Sequence, residues 1–161
     1  MRKEQKSCEC YACVSACANK PGWFMPGEAE KAAKLMKMSL KKFFDTYLGV
    51  DWWNGKHYGE ETFILSPLVV GADPGDLFAQ NPTGVCIFYK DKRCCIHEAK
   101  PYECQMYWHG DTGGLARHEK IAMAWEKHQA QIEKLLGRKP IAPELTVGSV
   151  LDLLISGLRM F

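Results

Sequence analysis

The sequence predicts a mainly α-helical, small single domain with one short β-hairpin. Two helix-forming runs before residue 50 and a long amphipathic run after residue 114 predict the helices, and two short apolar runs around a charged turn predict the hairpin. With 161 residues, 47% hydrophobic and 25% charged, the chain has ordinary globular usage and a length suited to one domain spanning residues 1–161.

Residues 1–25 hold four cysteines with Pro21 and Gly22 and show little apolar periodicity, which predicts a loop ordered by whatever the cysteines bind. From Gly27 to about Met38, GEAEKAAKLMKM is rich in helix formers, with Glu28 and Glu30 suited to the first turn. Ser39 is placed to cap a second helix through Leu48, with Leu40, Phe43, Phe44 and Tyr47 on one side and Gly49 as its stop. Residues 61–70, ETFILSPLVV, read as extended structure. VCIFY, KDKR and CCIH form the hairpin, which is expected to bring Cys86 near Cys94 and Cys95. After Gly114, the residues Ile121, Trp125, His128, Ile132 and Leu135 recur at intervals of three or four, which predicts one helix to Leu136 stopped by Gly137. Thr146 is placed to cap a last helix, apolar nearly all round, that packs centrally or against a partner chain.

The longest apolar-leaning stretch, Phe63 to Ala72, is broken by Ser66 and Pro67 and is too short to span a bilayer, and no secretory signal follows the charged start MRKEQKSCEC. These features predict a soluble, cytoplasmic protein with no membrane partner. In that compartment thiols stay reduced, so grouped cysteines favour metal or redox chemistry over disulfides. A net charge of +2 gives no general case for nucleic-acid binding. Residues 1–42 nevertheless carry nine Lys or Arg against four Glu. Lys31, Lys34, Lys37, Lys41 and Lys42 recur at helical spacing and read as a solvated face, with compensation of nearby thiolates as the sharper alternative.

The cysteines fall in two groups, Cys8, Cys10, Cys13 and Cys17, then Cys86, Cys94, Cys95 and Cys104. The two-residue gap between Cys10 and Cys13 lets a tight turn aim two thiolates at one metal. A site shared by both groups closes a long loop, which is where a metal stabilises a fold most. The plainer alternative is that several are buried free cysteines acting as small hydrophobes. Soft thiolates suit zinc and iron–sulfur centres alike, so the domain is expected to be organised around a cysteine-ligated centre of one kind or the other.

At these motifs the chain resembles the YkgJ-type cysteine-cluster family, described as zinc- or iron-chelating domains. The first family motif is similar to C-x2-C-x2-C-C followed by a short turn and a Pro-x-Glu-like helix start. Here Cys10, Cys13 and Cys17 match, PGWFMPGEAEKAA follows, and Ala16 occupies the place of the third cysteine. For the second motif, GVCIFYKDKRCCIHEAKPYEC supplies Cys86, Cys94, Ile96, Pro101 and Cys104, with His97 where Tyr is usual and Lys100 and Gln105 where Arg is usual. The resemblance covers residues 8 to about 107 and leaves the C-terminal helices, 114–161, without a family assignment. It implies metal ligands at Cys10, Cys13, Cys17, Cys86, Cys94 and Cys104. Cys8 or Cys95 is available to replace the thiolate lost at Ala16, and His97 is a further candidate ligand.

Six to eight thiolates exceed the roughly four that one tetrahedral zinc or one 4Fe–4S cluster needs, so one site with spares and two sites both stay open. The favoured reading is an iron–sulfur protein with an electron-transfer or redox-accessory role beside a protein redox partner, rather than a stand-alone enzyme. The alternative is a structural or metal-handling zinc module without catalysis. No G-x-S-x-G, P-loop or G-x-G-x-x-G motif supports hydrolase or nucleotide chemistry, so no catalytic residue is assigned. His118 and His128 read as satisfied histidines on or near the buried stripe, His109 as part of a polar loop, and DWWNGKHYGEE, with His57, as a surface turn with buried tryptophans.

Overall fold

A computed structural model describes residues 11–53, 61–75, 77–79, 83–106 and 114–142, with the backbone alone for 11–13 and 77–79. The first element corrects the expected N-terminal loop: Tyr11–Asn19 is helix α1. Ala12, Ala16 and Ala18 supply helix propensity, and the cysteines occupy the positions where an apolar stripe was sought. The following segment, Pro21–Phe24, is irregular and buried.

Helix α2 (Glu28–Leu35) starts after Gly27, whose φ of +83° turns the chain into it. Glu28 accepts the Met25 N–H at 2.9 Å while its own N–H donates to the Met25 carbonyl at 3.1 Å, a reciprocal cap. Ser39 caps helix α3 (Leu40–Tyr47) as expected, its hydroxyl accepting the Lys42 N–H. Phe43 and Phe44 face the core, and the predicted lysine face is solvated throughout. The helix does not stop at Gly49. It ends at Tyr47, and the chain passes directly into strand β1 (Leu48–Trp53), where Gly49 pairs with Ser66.

Strand β1 is the centre of a three-stranded sheet that the sequence reading lacked. It pairs antiparallel with β2 (Thr62–Pro67) and parallel with β3 (Leu77–Ala79), in the order β2-β1-β3. Every residue of β2 and five of six in β1 are buried, so no alternation was there to be read. The free edge of β2 is covered. The Gln129 side-chain amide accepts the Phe63 N–H at 3.1 Å and donates to its carbonyl at 3.0 Å, and the Phe24 N–H donates to Leu65 at 3.1 Å.

The predicted hairpin is present as β4 (Tyr89–Lys90) and β5 (Arg93–Cys94), joined by Asp91 and Lys92, both at positive φ as a two-residue turn of this hand requires. A 3₁₀ turn, His97–Ala99, leads to the one-turn helix α4 (Tyr102–Gln105). The C-terminal helix is two helices rather than one. A 3₁₀ turn at Glu126–His128 separates α5 (Gly114–Trp125) from α6 (Gln129–Leu136), and it carries His128 out of the stripe to an exposed position. Ile121, Trp125, Ile132 and Leu135 remain buried, and Gly137, at φ +71°, ends α6. These side chains join one buried cluster with Trp23, Phe24 and the inward faces of α2, α3 and the sheet. The helix expected from Thr146 lies outside the described residues. Among those described, no helix is long and apolar enough to cross a membrane.

Candidate metal centre

The last carbonyls of a helix need partners, and in α1 a distant strand supplies them. The N–H of Gly84 donates to Asn19 O at 2.8 Å and that of Cys86 to Cys17 O at 3.3 Å. On its other side the same segment pairs with residues 68–70, through Val70 N–H to Val85 O at 2.8 Å and Ile87 N–H to Leu68 O at 2.9 Å. Gly84 fits this position because its φ is +148° and a Cβ would stand 2.8 Å from Val69 Cγ1. Backbone pairing therefore sets Cys86 against Cys17.

From Cys86 the chain turns back, with the Tyr89 N–H on the Cys86 carbonyl at 2.9 Å, and β4–β5 returns it to Cys94. Two short turns then fold amides over sulfur: Phe88 and Tyr89 donate N–H to the Cys86 thiol, and Ile96 to that of Cys94. The fourth sulfur arrives on α4. Glu28 fixes that helix by accepting the Tyr102 N–H at 2.7 Å, and the Gln105 amide joins Glu28 at 3.3 Å to the Lys100 carbonyl at 2.7 Å. Gln105, where the family motif has Arg, thus has a positional role.

Gly22 completes the enclosure. A Cβ there would lie 2.5 Å from Cys104 Sγ and 3.2 Å from its backbone nitrogen, so the sulfur occupies space that only glycine leaves open. Gly22→Ala is expected to destabilise the chain by about 1–3 kcal/mol through overpacking, read as a lower urea midpoint.

Charge ties the four thiols together. Burial raises all four, pushing Cys86 up to about 12 and Cys104 well above its ordinary value. Beyond burial, negative charge on Cys94 and Cys17 raises Cys86, Cys17 and Cys95 raise Cys94, and Glu103, followed by Cys86, Cys17 and Cys94, raises Cys104. Every pair among the four is coupled. Cys104 is partly exposed as a residue, yet its thiol is the most enclosed; the sulfur's own surroundings decide its titration. Lys100 acts in the opposite sense, lowering Cys17 and Cys94. Among the described thiols, the lysine that favours the charged form is Lys100, at Cys17 and Cys94.

The other predicted ligands are placed differently. Cys8 and Cys10 lie outside the described residues. Cys13 lies in α1 four residues before Cys17, with only its backbone described. Cys95 is exposed, and His97 is half-buried in the 3₁₀ turn. Among the described residues no group of three or more His, Cys, Asp or Glu side chains is drawn in to coordination spacing. The four coupled thiols share one neighbourhood without closing to that distance.

Beside Cys104 lies a polar cluster that the sequence reading missed. Glu103 is 9% exposed; its Oε1 meets His118 Nε2 at 2.7 Å and accepts from Lys20 Nζ at 3.3 Å, and its Oε2 accepts the Trp23 N–H at 2.8 Å. Burial alone would raise this carboxyl, but the His118 hydrogen bond and the Lys20 charge outweigh it and hold it at about 2. The His118 ring is flanked by Trp23 and Trp53, with ring centres at 4.5 and 5.7 Å. Trp23 in turn donates its indole N–H to the buried Asp51 of β1. His118 is thus the satisfied histidine expected, though the isolated Glu103 in KPYEC gave no sign of its partners. Comparison with protein families, with curated proteins and with solved structures finds no match to this chain.

Proposed function

We propose that this chain is a metal-binding cysteine-cluster protein of the type it resembles, that it holds an iron–sulfur cluster, and that it serves electron transfer or assists a redox enzyme. The observation that supports this most is that backbone pairing sets Cys86 against Cys17, the hairpin returns the chain to Cys94, and α4 seats Cys104 against Gly22. Four half-buried thiols that oppose one another's ionisation are costly to charge in isolation, and a polyvalent cation among them would offset both burial and repulsion. The donor set fits such a group: soft sulfur, amides directed at two of the sulfurs, and Lys100 favouring the thiolate form. Once bound, an iron–sulfur cluster supplies one-electron exchange.

The test is metal and acid-labile sulfide analysis with an absorbance spectrum, on protein purified without oxygen. The expected result is iron and sulfide together, with a broad visible band that fades on dithionite reduction. Colourless protein with stoichiometric zinc identifies the structural module instead, and protein without bound metal overturns both readings.

A further inference from the structure

Helix α1 contributes nothing to the core. Of its described side chains, Val14 to Asn19, none is buried, and none belongs to the buried cluster or packs against it. Its sequence gives it little stability of its own. Nine residues are fewer than an isolated helix needs, Val14, Ser15 and the cysteines are indifferent helix formers, and no acidic residue stands in the first turn nor a basic one in the last. The exposed Asn19 amide turns back onto Ser15, so it ties α1 only to itself. Two backbone hydrogen bonds join the helix to the hairpin side, from Gly84 to Asn19 at 2.8 Å and from Cys86 to Cys17 at 3.3 Å.

Immediately afterwards the chain is anchored. The Lys20 side chain is held by Glu103 at 3.3 Å, and Pro21 to Phe24 are all buried. Phe24 is fixed from two sides, its N–H on the Leu65 carbonyl at 3.1 Å and its own carbonyl accepting the Trp125 indole N–H at 2.6 Å. The other three sulfurs ride on this anchored body. Cys86 is paired with residues 68–70 on the side away from α1, the buried Phe88 and Ile96 fix the segments that carry Cys86 and Cys94, and Cys104 is seated against Gly22. Removing α1 would leave that body intact and withdraw one sulfur, that of Cys17. The division between preset body and weakly held helix falls at Asn19–Lys20.

We propose that α1 is a metal-dependent latch, seated while Cys17 shares a metal with the three preset thiols and released from Cys86 on metal removal, which opens the way for loading and exchange. The latch rests on the metal-centre reading, because two backbone hydrogen bonds and a nine-residue helix do not hold the segment without ligation. Local opening of this kind costs only the contacts of the segment that moves, so the core stays folded.

Hydrogen–deuterium exchange read by mass spectrometry tests it on the full chain, kept reduced and free of oxygen. Three states are compared, as purified, stripped with chelator, and stripped then supplied with zinc, with metal content measured on each. Stripping should speed exchange across 11–19 by about tenfold or more, while 43–50, 62–67 and 121–135 stay about a hundredfold or more slower than an unfolded chain, and zinc should restore the slow exchange. Ala18→Gly weakens the helix and replaces no thiol. In metal-bound protein it should speed both exchange across 11–19 and metal transfer to chelator by roughly two- to fivefold. In stripped protein it should leave the urea midpoint unchanged, since the helix is already released. Equal exchange across 11–19 in zinc-bound and stripped protein, stripping that opens the core together with α1, or a lower urea midpoint for stripped Ala18→Gly overturns the latch, while the bound metal leaves the metal-centre reading standing. Protein that holds no metal as purified and takes up no zinc removes that reading, and the latch with it.

Discussion

On the metal-centre reading proposed above, Cys86→Ser and Cys94→Ser are each expected to release metal and Cys95→Ser to retain it. The distinction follows from position. Cys86 and Cys94 are partly buried, receive amide N–H groups from the turns after them, and are coupled to Cys17 and Cys104, whereas Cys95 is exposed next door. A serine hydroxyl is a poor soft ligand at either inner position, and the serine leaves three coupled thiols with a hole in the set. Thiolate sites of this kind supply roughly 10 kcal/mol or more to folding, so loss of one donor is expected to lower metal occupancy below about a tenth and stability by several kcal/mol. Metal-to-protein ratios, with thermal melts before and after chelation, measure both. In the parent, chelation should lower the melting temperature sharply; in Cys86→Ser it should do almost nothing. Full occupancy in Cys86→Ser and Cys94→Ser would remove the hairpin from the site.

What could be read from the chain beforehand was whatever local chemistry fixes. Ser39 before an amphipathic run, Gly137 after one, and KDKR between two apolar runs are signals confined to a few residues, and α3, the end of α6 and the hairpin follow them. The N-terminal helix was lost because periodicity was sought in ordinary apolar residues. Cys13 and Cys17, four residues apart, are themselves at helical spacing, and Ala12, Ala16 and Ala18 favour that reading. The sheet was lost for the opposite reason: LGVDWW and TFILSP are buried on both sides and show no alternation, and the parallel pairing of β1 with β3 depends on contacts distant in sequence. The break at Glu126–His128 likewise has no local breaker residue to announce it. At the site, grouped cysteines were visible from spacing alone. The preference for Cys86 over Cys95 came from the resemblance alone, and the pairing of Gly84 and Cys86 with the end of α1 could not be read from sequence because it joins segments some seventy residues apart.

Glu103→Gln tests the second buried device, and its expected signature is a stability difference that depends on pH. Glu103 joins three parts of the chain, since its carboxylate accepts from Trp23 of the N-terminal segment and Lys20 after α1 and bonds His118 of α5. With burial opposing ionisation and the His118 hydrogen bond and Lys20 favouring it, the folded-state carboxyl sits at about 2, below the ordinary range of roughly 4.3. The unfolded chain therefore takes up the proton first as pH falls. Stability from this group is complete above the ordinary carboxylate range and disappears as pH drops from there through about 2. The depression corresponds to on the order of 3 kcal/mol at neutral pH for this largely enclosed side chain. Glutamine keeps the shape but sets an N–H₂ against donors, so the loss at pH 7 should equal or exceed that figure. Urea denaturation of both chains between pH 7 and 2, in chelator so that thiol ligation does not contribute, should give curves that converge toward the acid end. A constant gap across the range would assign the effect to packing instead, and no gap at pH 7 would mean that Lys20 and His118 find equivalent partners in water. Lys20→Met separates these outcomes further. It removes the cation while retaining much of the apolar stem, and should reproduce only the part of the acid dependence that Lys20 supplies, because the stronger contribution in the site is the hydrogen bond from His118.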